Sequence, residues 1–164
     1  MSTIEVQLRR FSIVSARPFH EVLNRVTATI GRPDLNAFHK ELAATKTAAE
    51  LEGLVNAASG PSGLMEYIRF DSGEVLRQEH GGQPPRILRL VVGNRLTLKK
   101  MIGTVPDVAS YAPLTILVDE RADGVHLSYD SMASLIAPYG SEAALDVARG
   151  LDAKVEALLT AAAN

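Results

Sequence analysis

The spacing of apolar and polar residues changes period along the chain, and each change predicts a new secondary-structure element. Between Ile4 and Val14, β-branched and apolar residues are interrupted by charged and amide side chains, which predicts a strand with one wetter face. Pro18 suits a first helical position, and apolar residues then follow at helical spacing until Gly31. The chain therefore begins with a strand followed by an amphipathic helix.

Two short helices are predicted after the first one. Asp34 can cap a helix that carries Leu35 and Phe38. Thr47, with Glu50 three residues later, forms a capping-box pattern before another apolar run. The sequence thus indicates extra helical turns between the first helix and the next strand.

The rest of the chain reads as strands and hairpins followed by a long helix. Leu64 to Phe70 predicts a strand, Asp71-Ser72-Gly73 a hairpin turn, and Val75 to Gln78 its returning strand. Further strands are predicted at Ile87 to Val92, Leu114 to Asp119 and Val125 to Tyr129, with Asp123-Gly124 reversing the last pair. Ser141 can cap a final amphipathic helix.

This order of elements lacks the regular strand-helix alternation of doubly wound proteins. Hairpins favour an antiparallel sheet, and the amphipathic helices need an apolar surface to cover, so we expect an α+β fold with helices on one face. The length of 164 residues, 46% of them hydrophobic, fits one domain spanning residues 1–164.

Composition excludes several classes of function. Seventeen basic and nineteen acidic residues leave a formal charge of -2, so we expect no nucleic-acid partner. The chain has no cysteine, which excludes thiolate catalysis, disulfides and cysteine-ligated metal. No window approaches a membrane span, and the first residues lack a secretory apolar core, so a cytoplasmic protein without membrane association is expected.

Gly93-Asn94 follows an apolar strand and precedes Lys99 and Lys100, which raises the question of a phosphate loop. A Walker loop needs glycine before the lysine and Ser or Thr after it, and Leu98 and Met101 occupy those positions. A nucleoside-triphosphate loop is therefore excluded. In the alternative interpretation Gly93 permits a turn, Asn94 caps a helix, and both lysines face solvent.

Strand periodicity places His126, Ser128 and Asp130 on one face of a strand, with Tyr129 on the other. These three types suggest a catalytic triad. Residues two apart on a strand lie about 6 to 7 Å apart and project in parallel, however, whereas a triad needs converging hydrogen bonds. A polar strand face facing solvent or a cavity is the favoured interpretation.

The four histidines are scattered, without a pair at metal-binding spacing, so no metal site is predicted, although ligation of metal or haem by one or two of them stays open.

Tyr111 precedes Pro113 at the start of one strand, and Tyr129-Asp130 closes its partner. We expect these ends, together with Gly93-Asn94, to form one shared surface.

The strings GNRLTLKKM and YAPLTILVDERADGVHLSYDSM resemble the DUF302 family, also called TT1751-like proteins. The matching features are Gly93-Asn94, Pro113-Leu114, Asp123-Gly124 and Ser128-Tyr129-Asp130. The resemblance implies a β-α-β(4)-α fold with a curved antiparallel sheet, related in architecture to the TATA-binding-protein-like class. Arg95 stands where the family commonly has proline. The family offers no agreed biochemical activity to carry over.

Three hypotheses follow for the function. The first is a non-enzymatic module that binds or senses a small, anionic ligand, without a cofactor, in a pocket near the strand ends. Its candidate binding residues are Asn94, Arg95, Lys99, Tyr111, His126, Ser128 and Asp130. The second is an enzyme with His126 or Asp130 as general base, assisted by Tyr111 or Tyr129. The third is a structural homo-oligomer, and in any case we expect a homo-oligomer, most simply a dimer.

Overall fold

The computed structural model describes residues 3–80, 84 and 86–164 and contains one sheet. Its strands are β1 (Arg10–Ser15), β2 (Met65–Asp71), β3 (Ile87–Gly93), β4 (Leu114–Arg121) and β5 (Gly124–Asp130). The α-helices are α1 (Phe19–Thr27), α2 (Leu35–Ala44), α3 (Ala48–Ala58), α4 (Gly73–His80), α5 (Arg95–Ile102), α6 (Met132–Ile136) and α7 (Glu142–Ala163). No helix in the described part of the chain is long and apolar enough to cross a bilayer.

The five strands are arranged in the order β1-β5-β4-β3-β2, and every neighbouring pair is antiparallel. The predicted α+β class and the β-α-β(4)-α order are therefore confirmed, and α2 and α3 are the extra helices that the capping patterns indicated. The reversal between β4 and β5 also occurs where it was predicted. Gly124 has a φ of 139°, and a Cβ there would lie 2.6 Å from the Ser15 carbonyl oxygen, so this turn requires glycine.

Helices α1, α5 and α7 lie over one face of the sheet and enclose the main core. The side chains of β5 that point into this core are Val125, Leu127 and Tyr129. They meet α7, whose buried positions recur at helical spacing. The opposite face, on which β5 presents His126, Ser128 and Asp130, carries no helix among the described residues. The predicted division of this strand into two faces is thus confirmed.

Helices α2 and α3 build a second, smaller apolar cluster at the β2 edge of the sheet. Its buried members are Phe38, Val55 and Met65, and Tyr67 and Leu96 pack against them. Both predicted caps are present, because Asp34 accepts two backbone hydrogen bonds at the start of α2 and Thr47 forms a capping box with Glu50.

Two strand predictions were wrong in detail. Val75 to Gln78 belongs to α4, since the segment is rich in helix-forming residues, and β2 pairs with β3 instead of with a returning strand. The first strand begins at Arg10 rather than Ile4, since its partner β5 ends opposite Arg10 at Asp130. A strand persists only where its backbone groups find a ladder.

A buried carboxylate on α7 joins that helix to the end of β5. Asp152, only 4% exposed, accepts hydrogen bonds from the hydroxyls of Tyr129 (2.7 Å) and Ser131 (2.5 Å). It also accepts from the backbone N–H groups of Met132 (2.8 Å) and Ala133 (3.2 Å), the first residues of α6. Burial, together with this hydrogen bond, raises the pKa of Tyr129 well above its usual range, so its hydroxyl remains a donor. Four donors compensate for the desolvation of one carboxylate.

Replacing Asp152 with alanine is expected to lower the free energy of unfolding by about 3 kcal/mol or more, because the change leaves several buried donors without an acceptor. Urea denaturation followed by circular dichroism measures the loss. The matched control is Asp146→Ala on the exposed side of the same helix, where a loss of about 0.5 kcal/mol or less is expected. Equal losses in the two variants would contradict a central role for Asp152.

Candidate functional site

A cavity of about 360 Å³ lies where β3 ends and β4 begins. The end of β3 and the first residues of α5 form one wall, and the start of β4 forms another. Its lining residues are Tyr67, Gly93, Asn94, Arg95, Thr97, Leu98, Met101, Ala112, Pro113, Leu114, Met132 and Leu151. Most of them are apolar, and the volume falls within the range of small-molecule sites. The end of β3 and the start of β4 therefore meet around a concavity, but Tyr111, Tyr129 and Asp130, which were expected on the same surface as Gly93-Asn94, do not line it.

Asn94 has a structural task at this cavity. Its side-chain oxygen accepts hydrogen bonds from the backbone N–H groups of Leu96 (2.8 Å) and Thr97 (3.1 Å), and so caps α5. Its amide nitrogen donates to the Gly63 carbonyl oxygen (2.8 Å) and to the Ser59 hydroxyl (3.3 Å). The predicted cap is confirmed, and the same side chain ties α5 to the loop that precedes β2.

Arg95 brings a positive charge to the cavity wall. Its guanidinium carbon lies 5.8 Å from the ring centroid of Phe38 and 5.9 Å from that of Tyr67, within cation-π range of both. One terminal nitrogen lies 3.3 Å from Nε2 of His39. The Nε of Arg95 is buried and has no hydrogen-bond partner. Aromatic contacts thus hold the guanidinium in place while one of its N–H donors stays unused.

Tyr67 and Thr97 are further polar residues of the lining. Burial raises the pKa of Tyr67 above its ordinary value, and the charge of Arg95 offsets part of that rise. Tyr67 therefore carries a neutral phenol at physiological pH, which can donate or accept one hydrogen bond. Together with Arg95, it gives an apolar cavity a small number of groups that could orient a ligand.

The other predicted residues on this side are less directly involved. Tyr111 precedes the lining residue Ala112, but its hydroxyl lies 2.8 Å from that of Tyr139 in an edge-to-face pair. This hydrogen bond is the main cause that raises the pKa of Tyr139 to about 12. Lys99 is exposed on α5 and does not line the cavity, and Lys100 is exposed beside it, as the solvent-facing alternative stated.

His126 and Ser128, each only 8% exposed, lie with Asp130 on the face of the sheet opposite the main core and not in this cavity. The Nε2 of His126 lies 2.8 Å from Oδ1 of Asp123, whose pKa is lowered chiefly by that hydrogen bond. Asp130 pairs bidentately with Arg10, at 2.6 and 2.8 Å, which occupies both carboxylate oxygens. Ser128 and Asp130 border a separate depression of about 210 Å³. The seven candidates therefore divide between two surfaces.

Tyr129, proposed as a partner for these bases, is buried on the opposite side of β5 in the core, where its hydroxyl meets Asp152. A strand residue next to two outward-facing ones necessarily points away from them. Among the described residues, no group of three or more histidines and carboxylates is arranged to hold a metal ion.

Sequence reasoning missed several residues around the cavity. Phe38 and Tyr67, which flank Arg95, come from α2 and β2, which are far from it in the sequence. Leu151 reaches the lining from the last helix. Their apolar spacing marks them as buried, but no local signal connects them with Arg95. Only the packing of α2 and α7 against the sheet brings them together.

Two substitutions at Asn94 separate its tasks. Asn94→Asp keeps the capping oxygen and removes the amide donor, so we expect a loss of about 1 to 2 kcal/mol in the free energy of unfolding. Asn94→Ala also removes the cap and should lose about 1 kcal/mol more. Thermal and urea denaturation measure both. Asp34→Ala, which removes only a cap, is the matched control, and an Asn94→Asp variant as stable as the wild type would refute the tie to Gly63.

Comparisons with known proteins give the family of this chain. The family model described as "Domain of unknown function DUF302" matches residues 38–162. No curated protein matches the sequence. The structure is similar to the crystal structure of an uncharacterized conserved DUF302 protein from Bacillus stearothermophilus, with a TM-score of 0.63 and 12% identity over 93% of this chain and 97% of that one. At this identity the likeness concerns the fold alone. Since the family model covers most of the sequence, the chain belongs to the DUF302 family.

Proposed function

We propose that this DUF302 domain binds a small, mainly apolar molecule that carries an anionic group, in the cavity at the ends of β3 and β4. The observation that carries the proposal is the side chain of Arg95, which lines an apolar cavity of about 360 Å³ with a buried Nε that lacks a partner. A buried donor without an acceptor is costly, and a ligand oxygen that accepts from it would remove that cost.

The chemistry of the lining suggests the class of ligand. Apolar side chains such as Leu98, Met101 and Leu114 would supply affinity by excluding water from an apolar body. A guanidinium matches the geometry of a carboxylate, and the neutral phenol of Tyr67 could donate one further hydrogen bond. A medium-chain or aryl carboxylate combines these features.

The catalytic alternative has less support. His126 and Asp130 lie outside the cavity, and the Asp130 carboxylate is occupied by Arg10. Their supposed partners, Tyr111 and Tyr129, bond instead to Tyr139 and Asp152. A general base needs to reach a substrate proton, and neither candidate lines the cavity beside Arg95.

Binding can be tested with medium-chain and aryl carboxylates, using the corresponding amides as uncharged comparators, by thermal-shift screening and native mass spectrometry. Arg95→Gln should weaken carboxylate binding about 10- to 100-fold, as expected for the loss of a charged hydrogen bond, and should affect the amides less. Leu98→Trp should abolish binding of both, because the larger side chain fills the cavity.

Lys99→Gln is the matched control, since it removes one positive charge from the same helix at an exposed position. It should leave the affinity of the carboxylates within about twofold of the wild type, because an exposed charge is screened by water and salt. The proposal fails if no carboxylate binds the wild type, or if Lys99→Gln weakens binding as much as Arg95→Gln does.

A further inference from the structure

Gly93 is the last residue of β3 and lies in the wall of the cavity beside Arg95. Glycine weakens a strand, because it has no side chain to pack and loses much backbone freedom on folding. The φ of Gly93 lies outside the left-handed region, so the backbone conformation at this position suits residues with a side chain. Backbone conformation therefore does not explain the glycine.

Close packing of backbone does not explain it either. At Gly31 a Cβ would lie 2.1 Å from the Ala58 carbonyl oxygen, so that position excludes a side chain. At Gly93 the atoms nearest to a Cβ would be Cε2 of Tyr67 and Cβ of Pro113, each at 3.4 Å, which is ordinary van der Waals contact. A methyl group thus fits at residue 93, between two residues that also line the cavity.

A β-bulge in β2 supplies one side of this gap. Glu66 pairs with Val92, and Ile68 already pairs with the adjacent Val91, so Tyr67 is the extra residue of the bulge. Bulges are frequent beside functional sites, where they turn a side chain toward the site. Here the bulged residue is the one whose ring lies 5.9 Å from the guanidinium carbon of Arg95 and lines the same cavity.

The space above Gly93 is therefore bordered by flat groups next to a positive charge. Glycine within a strand often marks a place where a ligand approaches the backbone closely. A planar ring can lie against a bare peptide group, and beside the edge of the Tyr67 ring it gains a favourable aromatic contact. A puckered, saturated body of the same size is thicker and stays farther from the backbone.

On the basis of the proposed carboxylate binding, we propose that Gly93 determines the ligand specificity of this cavity and selects flat, aromatic carboxylates over saturated ones. The carboxylate meets the guanidinium of Arg95, and the aromatic body lies over the Gly93 backbone beside Tyr67. The missing side chain thus has a role in binding that neither the conformation nor the packing of the strand requires.

The preference can be measured with 2-naphthoate and its saturated counterpart, decahydro-2-naphthoate, which have the same carbon skeleton and the same charge. Isothermal titration calorimetry of the wild type should give a dissociation constant about 2- to 10-fold lower for 2-naphthoate, the range expected for one aromatic contact. The saturated body is at least as apolar, so burial of apolar area alone does not produce this order.

Gly93→Ala tests the role of the position itself. The added methyl group should weaken binding of 2-naphthoate about 10- to 100-fold, because one methyl group in a closely fitting pocket has an effect of this size. It should affect the saturated counterpart less. Urea denaturation should show equal or greater stability than the wild type, since alanine fits the backbone here and restricts the unfolded chain.

Gly53→Ala is the matched control, because Gly53 is exposed on α3 and a Cβ there would have no atom within 4 Å. The same chemical change should leave the affinity for 2-naphthoate within about twofold of the wild type, since Gly53 does not line the cavity.

The outcomes separate this proposal from the proposed function. The role of Gly93 is refuted if the two naphthoates bind the wild type equally well, if Gly93→Ala binds 2-naphthoate as tightly as the wild type, or if Gly53→Ala weakens binding as much. A Gly93→Ala variant that is less stable than the wild type, or does not fold, would show that the glycine has a structural task instead. In all these cases carboxylates still bind the wild type, whereas the proposed function itself fails when none does, and Gly93 then has no ligand to select.

Discussion

The buried carboxylate of Asp152 is the interaction on which much of the architecture depends. A carboxylate taken out of water is tolerated only when donors surround it, and here the end of β5 and the start of α6 supply them. These hydrogen bonds fix α7 across the sheet. They also position Met132, next to β5, and Leu151, next to Asp152, which both line the cavity. The shape of the candidate site thus depends on the hydrogen bonds that Asp152 accepts behind its lining residues.

The helices between α1 and β2 support the charged wall of the cavity, which Arg95 of α5 supplies. They place Phe38 beside the ring of Tyr67, and the guanidinium of Arg95 lies near both. Aromatic faces attract a guanidinium and limit its motion, so its charge is fixed at the cavity. These helices lie at an edge of the sheet and α1, α5 and α7 lie over one face, so no helix of the described residues packs on the second face. The domain therefore has its concavity beside Arg95 and its helix-free sheet face at different places.

Much of the fold could be predicted from local patterns. The alternation through β5 correctly separated Val125, Leu127 and Tyr129 from the residues on the other face, because strand geometry allows only two directions. Caps at Asp34, Thr47 and Asn94 were equally predictable, since they involve residues two or three positions apart. The strand predicted at Val75 to Gln78 was wrong, because tertiary contacts, more than local preference, decide the conformation of a short segment with mixed preferences.

By itself, the sequence determined most of the elements and their order, the two faces of β5, and the helix caps, because these depend on backbone geometry and near neighbours. It also placed Asn94 and Arg95 at the end of a strand. Only the tertiary structure decided which distant side chains surround Arg95, that Asp152 is buried among donors, and that His126 and Asp130 lie away from the cavity. Those outcomes depend on how helices pack across the sheet, and such contacts between distant segments leave no local pattern in one chain.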